Sequence, residues 1–347
     1  MDKSKMNKTS ITKLILLLCI LLLANIAGAQ TITVLQQGKA TSIRGLSVVD
    51  DSIAWISGSK GTVALTRNGG KSWDWQQVKG FEKADFRDIV AFSNKEAIIM
   101  SSGTPALILK TIDGGASWQL KYQNADTAYF FDAMDFDGPK HGLVLGDPIK
   151  GKFVLMETKD GGENWLPFST PPDARPNEAA FAASGTCLRF ENDQITIVTG
   201  GAVSRELMTT DNTSSITWLY NDLQVKHGKS AQGAFSISAD GKVVVGGDYQ
   251  HDHLTDSVIT FVQYNGTYAG SGMYISKTPP SGYQSCVEFL FGNTYLSTGT
   301  PGSNITTDGG QTWKQIDAQS YNVCRKAKHG KLALLAGNKG TIGMLNP

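Results

Sequence analysis

TIDGGASW, Thr111 to Trp118, recurs along this chain as TRNGGKSW (Thr66–Trp73), TKDGGENW (Thr158–Trp165) and TTDGGQTW (Thr306–Trp313). A worn copy, TTDNTSSITW, runs from Thr209 to Trp218. The octet has the chemistry of a hairpin turn. Its two glycines supply the positive φ that a tight turn needs, and the Asp or Asn side chain accepts backbone amides inside the turn. The Thr adds a weaker bond of the same kind, and the Trp opens the return strand with a large apolar surface. Asn68, Asp113, Asp160, Asp211 and Asp308 are therefore read as structural turn residues.

The spacing converts the turn into an architecture. The closing tryptophans stand at 73, 118, 165, 218 and 313, in steps of 45, 47, 53 and 95 residues. The last step is close to two ordinary ones, so one unit has lost its box, and YNGTYAG (Tyr264–Gly270) sits where it should be. A period in the middle forties with short, turn-bounded strands means propeller blades of four strands. Each unit repeats an order: an inner strand such as FRDIVAF, a second such as EAIIMSS, a third such as ALILKT, the box, then the outer strand. The last unit, NVCRKA, KLALLAG and GTIGMLN, stops before its fourth strand, while TITVLQQ (Thr31–Gln37) precedes the first inner strand with nothing to pair with. Pairing it with Gly340–Asn346 completes a seventh blade and removes two exposed edges. The expected fold is an all-β, seven-bladed propeller with four-stranded blades, closed by its N-terminal strand, with six blades as the alternative count.

These boxes resemble the Asp-box, or BNR-repeat, propellers that share the sialidase architecture. The blade GTPALILKTIDGGASW is most like the photosystem II assembly/stability-factor propeller family, and the resemblance covers essentially the whole chain after residue 29. It implies a protein-docking role, in which arginines at inner positions build a basic patch. Arg44 and Arg87 occupy matching places at the start of the first two inner strands, as that patch requires. The third blade departs with Phe131, and later blades carry Gln232, Gln284 and Asn322, so a full arginine ring is absent.

Residues 1–29 read as a secretory signal peptide. Lys3, Lys5, Lys8 and Lys13 precede the apolar run Leu14–Leu23, which is too short for a stable span, and Ala27-Gly28-Ala29 offers a cleavage site before Gln30. Residues 30–347 then form a single propeller, expected to be exported to a periplasmic or extracellular space, without a transmembrane span after cleavage, and monomeric. Losing the leader removes four Lys and Asp2, taking the net charge from +1 to about −2, so nothing in the charge points to a nucleic-acid or anionic-membrane partner, and none is expected. Cys187, Cys286 and Cys324 show no zinc or CxxC spacing, and a Cys286–Cys324 bridge between consecutive blades is one alternative. His251 and His253, with Asp248 and Asp252, share one loop without a metal-binding pattern, and no cofactor motif is present.

In an up-and-down blade the boxes share a face with the first-to-second turns. The long segments Phe168–Ser184, Asn221–Ala231 and Gly247–Asp256 then fall on the opposite face, where loops over a rigid scaffold carry function. Arg44, Arg87, Asp147, Glu178, Asp248 and Tyr249 are the expected polar lining of the channel mouth there. Two function readings follow. One is an exported scaffold binding a protein or carbohydrate through that face. The alternative is a sialidase-like glycoside hydrolase using Asp147, Glu178 and Asp248. A sialidase needs three arginines for a carboxylate; of the seven after the leader only Arg44 and Arg87 have the right register, and no Arg-Ile-Pro sequence is present.

Overall fold

The computed structural model describes residues 30–210, 216–263 and 272–346. The leader, Asp211 and the YNGTYAG stretch lie outside the described residues. Within them the strands form seven antiparallel sheets, and the sole helical element is the 3-10 turn Asn338–Gly340. The sheets follow one another as blades. The first contains Ile43–Val48, Ala54–Gly58, Thr62–Thr66 and Asp74–Gln77; the second contains Asp85–Ala91, Ala97–Ser102, Ala106–Thr111 and Gln119–Asn124. The third, fourth, fifth and sixth open on the inner strands Phe131–Asp137, Leu188–Glu191, Gln232–Ile237 and Cys286–Phe291. The seventh orders Val323–Lys326, Ala333–Ala336, Ile342–Asn346 and, last, Thr31–Gln36. Thr31 pairs with Asn346 and Gln36 with Ile342, so the two ends of the chain share one sheet.

The boxes explain why the blades fit together. In the second blade Thr111 Oγ1 donates to Asp113 Oδ1 (2.8 Å) and accepts the Gly115 amide (3.0 Å). Asp113 also accepts the Ser117 amide (2.9 Å) and hydroxyl (2.5 Å). Asn68, Asp160 and Asp308 each accept the amide four residues on in the same way. The first glycine of each of these boxes donates to the first-to-second turn of its own blade, as Gly114 does to Lys95 O and Gly161 to Lys140 O, at 2.9 Å each. Both kinds of turn therefore lie on one face.

The second glycine faces the preceding blade. A Cβ on Gly162 (φ +84°) would meet Ile98 Cδ1 at 2.5 Å, and one on Gly115 (φ +86°) would meet the Trp55 ring at 3.3 Å. Glycine is thus required for its backbone and for its lack of bulk. The Trp that follows enters the same seam. Trp118 meets Trp55 edge-on with centroids 6.2 Å apart, and Trp165 packs with Ile98 and Ile108 of the preceding blade. The apolar core is accordingly divided into clusters between neighbouring blades, which is how a chain of this length stays folded around an open axis.

Three features depart from the sequence reading. The outer strand of the third blade shrinks to Leu166–Pro167. An additional two-stranded ribbon, Glu178–Ala179 against Gly200–Gly201, hangs on the fifth inner strand through Gly200 and Gly233, where a Cβ on Gly200 would lie 2.6 Å from the Gly233 Cα. The Cys286–Cys324 bridge is not formed: the three cysteines are buried free thiols, and Cys286 Sγ donates to the Cys324 carbonyl at 3.3 Å.

Candidate functional site

The crossing between the third and fourth blades descends into the axial channel and fills its upper half, on the face opposite the boxes. Small residues let it in. Ala182, Ala183, Ser184 and Gly185 are all buried, and any side chain on Gly185 would run into the Asp88 carboxylate. The surrounding inner strands hold this plug by its backbone. Arg44 Nη1 donates to Ala183 O (3.3 Å), Arg87 Nη1 to Ala182 O (3.4 Å) and Arg325 Nη2 to Ser184 O (2.8 Å). Ser184 Oγ donates to Ser285 O at 2.7 Å. Carbonyls here replace the water that would otherwise solvate three guanidinium groups.

The six expected site residues do gather around this segment, though not as an open lining. Arg44 is partly buried beside Tyr283, and burial, then the like charge of Arg87, lowers its pKa. Arg87 pairs with Asp85 through Nε (2.8 Å) and lies over the Phe130 ring at 5.8 Å. Asp147 accepts the Ala180 amide (3.2 Å), and burial raises its pKa.

Glu178 does not line the mouth. Its side chain is 0% exposed and is paired with Arg205, 5% exposed. Arg205 Nε and Nη2 donate to the two carboxylate oxygens at 2.9 and 2.5 Å, Thr199 Oγ1 donates at 2.6 Å and the Arg175 amide at 2.7 Å. A carboxylate with four donors has its acceptor sites filled. Glu178 anchors the root of the plug and is unavailable to a substrate.

Asp248 is also committed. Gln232 Nε2 (2.9 Å), the Gln250 amide (2.9 Å) and His251 Nδ1 (3.1 Å) hold it. Burial pushes its pKa up, but the hydrogen bonds of Gln232, His251 and Gln250 outweigh this and leave it lowered. Its neighbour Tyr249 is different: 47% exposed, it sits edge-on to Phe235 (6.1 Å) and near Tyr283 (6.4 Å). Phe235 in turn stacks on Phe181 at the top of the plug, with centroids 3.8 Å apart. The mouth is therefore an aromatic platform, Phe181, Phe235, Tyr249 and Tyr283, beside a cationic edge of Arg44 and Arg87.

Asp132 was missed in the sequence because it lies in an apolar inner strand, YFFDAMDF. Both its carboxylate oxygens are buried without a hydrogen-bond partner, and burial, then the charge of Asp147, raises its pKa well above the ordinary value. Among the described residues no group of three or more His, Cys, Asp or Glu side chains is placed to hold a metal ion, and no helix is long and apolar enough to cross a membrane.

Comparison with known proteins agrees with this geometry. Residues 31–125, which include the closing strand and the two blades bearing Arg44 and Arg87, match the family model described as photosynthesis system II assembly factor YCF48. A photosystem II stability/assembly factor HCF136 (chloroplastic) of Oryza sativa subsp. japonica is 36% identical over 122 residues, covering 33% of this chain and 27% of that protein. The matched stretch thus spans about a quarter of the relative's length. A solved structure of YCF48 bound to D1 peptide superposes over 93% of this chain and 96% of that one, with a TM-score of 0.63 at 17% identity. YCF48 from Cyanidioschyzon merolae covers 91% and 99%, also with a TM-score of 0.63 at 17% identity. At such identities the likeness is one of fold. The chain resembles the photosystem II assembly-factor propellers, in sequence over its first blades and in fold over nearly all its length.

Proposed function

We propose that this chain is an exported scaffold that docks a peptide segment of a protein partner on the plugged face. The observation that carries the reading is the platform itself: an exposed tyrosine on a stacked aromatic base, flanked by two arginines whose guanidinium groups are only partly engaged. Tyr and Arg at the centre of a patch are the side chains that dominate protein docking. The similar YCF48 structure was obtained with a peptide, which supports a peptide as the ligand here. The glycosidase alternative loses ground, because Glu178 and Asp248, two of the three carboxylates it needs, are committed to fixed donors. The basic, then apolar, leader supports export.

The test is site-specific photocrosslinking in the organism's envelope fraction. A photoreactive residue at Tyr249 is expected to trap one defined protein, and the same residue at Ser117 in a box hairpin is not. Arg87→Ala should weaken the Tyr249 adduct by clearly more than the ~1 kcal/mol typical of scattered rim charges. Adducts from Ser117 alone, or adducts at Tyr249 indifferent to Arg87, would place the docking face elsewhere. N-terminal sequencing of the recovered protein should begin at Gln30.

A further inference from the structure

The plug leaves the other half of the channel open. Below Gly185 a cavity of ≈ 720 Å³ widens toward the face that carries the boxes. Its walls are the last residues of the inner strands and the turns after them, from Val48 and Ala91 round to Lys326 and Lys328. This is the size of a small-molecule site, closed at one end by the chain itself. The face assigned a purely structural role by the sequence thus carries an accessible concavity.

The groups that face this cavity differ in whether they have partners. Asp88 at its floor accepts the Ile89 and Met134 amides, both at 2.8 Å. Asp135 accepts the Phe136 and Phe190 amides, both at 2.9 Å. Burial pushes the Asp88 pKa up to about 7, which further reduces negative charge at the floor. Arg325 is turned to the plug and to Cys286 and Cys324. Two groups, an ion pair with each other, remain short of hydrogen bonds. Arg189 uses Nε on Ile237 O (2.8 Å), but its buried Nη2 has no hydrogen bond. Glu288 Oε2, on a side chain only 10% exposed, is likewise buried and unbonded. These two atoms face each other at 3.9 Å, too far for a hydrogen bond and in reach of an atom set between them. Lys328 also lines the cavity, with its side chain exposed. No acceptor for its ammonium is present among the described residues. The partly buried Phe92 and Phe289 and the buried Phe136 and Phe190 also line it.

We infer that this cavity is a second binding site, for a small carboxylate with an apolar or aromatic tail and a hydrogen-bond donor next to the carboxylate. The carboxylate accepts from Arg189 and Lys328, the hydroxyl or ammonium of the ligand donates to Glu288 Oε2, and the tail lies against the phenylalanines. Occupation would give hydrogen bonds to two buried atoms that are otherwise held only by a 3.9 Å ion pair, the kind of vacancy that makes a polar site discriminate strongly. The site lies on the face opposite the proposed peptide platform and does not depend on it.

The test is titration of the full-length protein, after leader removal, with three near-isosteric probes: 3-phenylpropionate, 3-phenyllactate and phenylalanine. Ligand-detected NMR and calorimetry report binding. One of the two donor-bearing acids should bind saturably, and 3-phenylpropionate at least about tenfold more weakly, the discount for leaving Glu288 unpaired. Which of the two wins tells whether Glu288 takes a hydroxyl or an ammonium. Lys328→Ala, on an exposed side chain, should weaken the binding of all three. Glu288→Leu should erase the preference over 3-phenylpropionate. No saturable binding by any probe, or binding indifferent to Lys328→Ala, or a wild-type protein that binds 3-phenylpropionate as well as the others, would overturn the inference. Should Glu288→Leu not fold, the probe series and Lys328→Ala still decide.

Discussion

Replacing Glu178 by Gln should destabilise the propeller by about 3–5 kcal/mol, the usual consequence of removing one partner of a buried ion pair. The number can be reached from the geometry. Two donors converge on each carboxylate oxygen: Arg205 Nε and Thr199 Oγ1 on one, Arg205 Nη2 and the Arg175 amide on the other. An amide nitrogen in either place meets donors head-on. At least one bond to a charged group is lost with a second beside it, at ~1.5–3 kcal/mol each, and a buried guanidinium is left without its counter-ion. Urea unfolding followed by tryptophan fluorescence gives the shift in midpoint. The paired replacement Glu178→Leu with Arg205→Met removes both charges together and should cost clearly less than the sum of the single changes, because neither charge is then stranded. A Glu178→Gln protein within about 1 kcal/mol of wild type would show the pair to be wet, and would return Glu178 to the candidate site residues.

Three further outcomes follow from the same packing. Deleting residues 31–36 should open the seventh blade, removing the half-buried Ile32 and Leu35 from its core cluster and exposing the edge at Ile342–Asn346, at a cost of about 4 kcal/mol measured by chemical denaturation, with recovery on adding the TITVLQ peptide. Gly162→Ala, with its contact to Ile98, should cost about 2–4 kcal/mol, while Gly80→Ala, at a similar φ but with nothing within 4 Å, should cost only ~1 kcal/mol; equal losses would mean that the seam between blades relaxes freely. Asp113 and Asp160 have pKa values lowered to about 2, first by the Ser117 hydroxyl and the Asn164 amide respectively. Folding thus keeps these carboxylates ionised below their unfolded values near 4, so their stabilisation is complete above about pH 4 and is lost as pH falls toward 2. Melting temperatures between pH 2 and 5 should fall less steeply in the Asp113→Asn/Asp160→Asn protein.

The architecture was readable because its signals are local and repeated. TIDGGASW contains its own hydrogen-bond partners, so the turn at Asp113 is specified within eight residues, and four good copies fix the period. Closure was readable because Thr31–Gln37 and Gly340–Asn346 are strand-like segments that each lack one neighbour. The channel was harder to read. FAASGT looks like a neutral loop, and nothing in a short run of small residues says that it fills an axis. Arg44 and Arg87 were rightly set near one another by register, yet the groups they bind are backbone carbonyls at Ala182 and Ala183, which carry no sequence signature. A usable signal did exist. FRDIVAF, AMDF, CLRF, CVEFLF and VCRKA each place a charged residue inside an inner strand: Asp88, Asp135, Arg189, Glu288 and Arg325. A charge within an otherwise apolar strand needs a partner or water, and five of them around one axis imply a polar channel.

The plug also explains why the two faces of this ring can hold different chemistry. An unobstructed channel would join both mouths through one body of water, and charges on one side would be felt on the other. Here Ala182–Gly185 seals the axis at its middle, with Arg44 and Arg87 bound to it from one direction and Arg325 from below. The aromatic platform of Phe181, Phe235, Tyr249 and Tyr283 lies above it and the ≈ 720 Å³ cavity below. Glu178 and Arg205 hold the root of the segment that separates them. Loosening that pair should therefore disturb both mouths at once, while Lys328 and Tyr249 each bear on one side only.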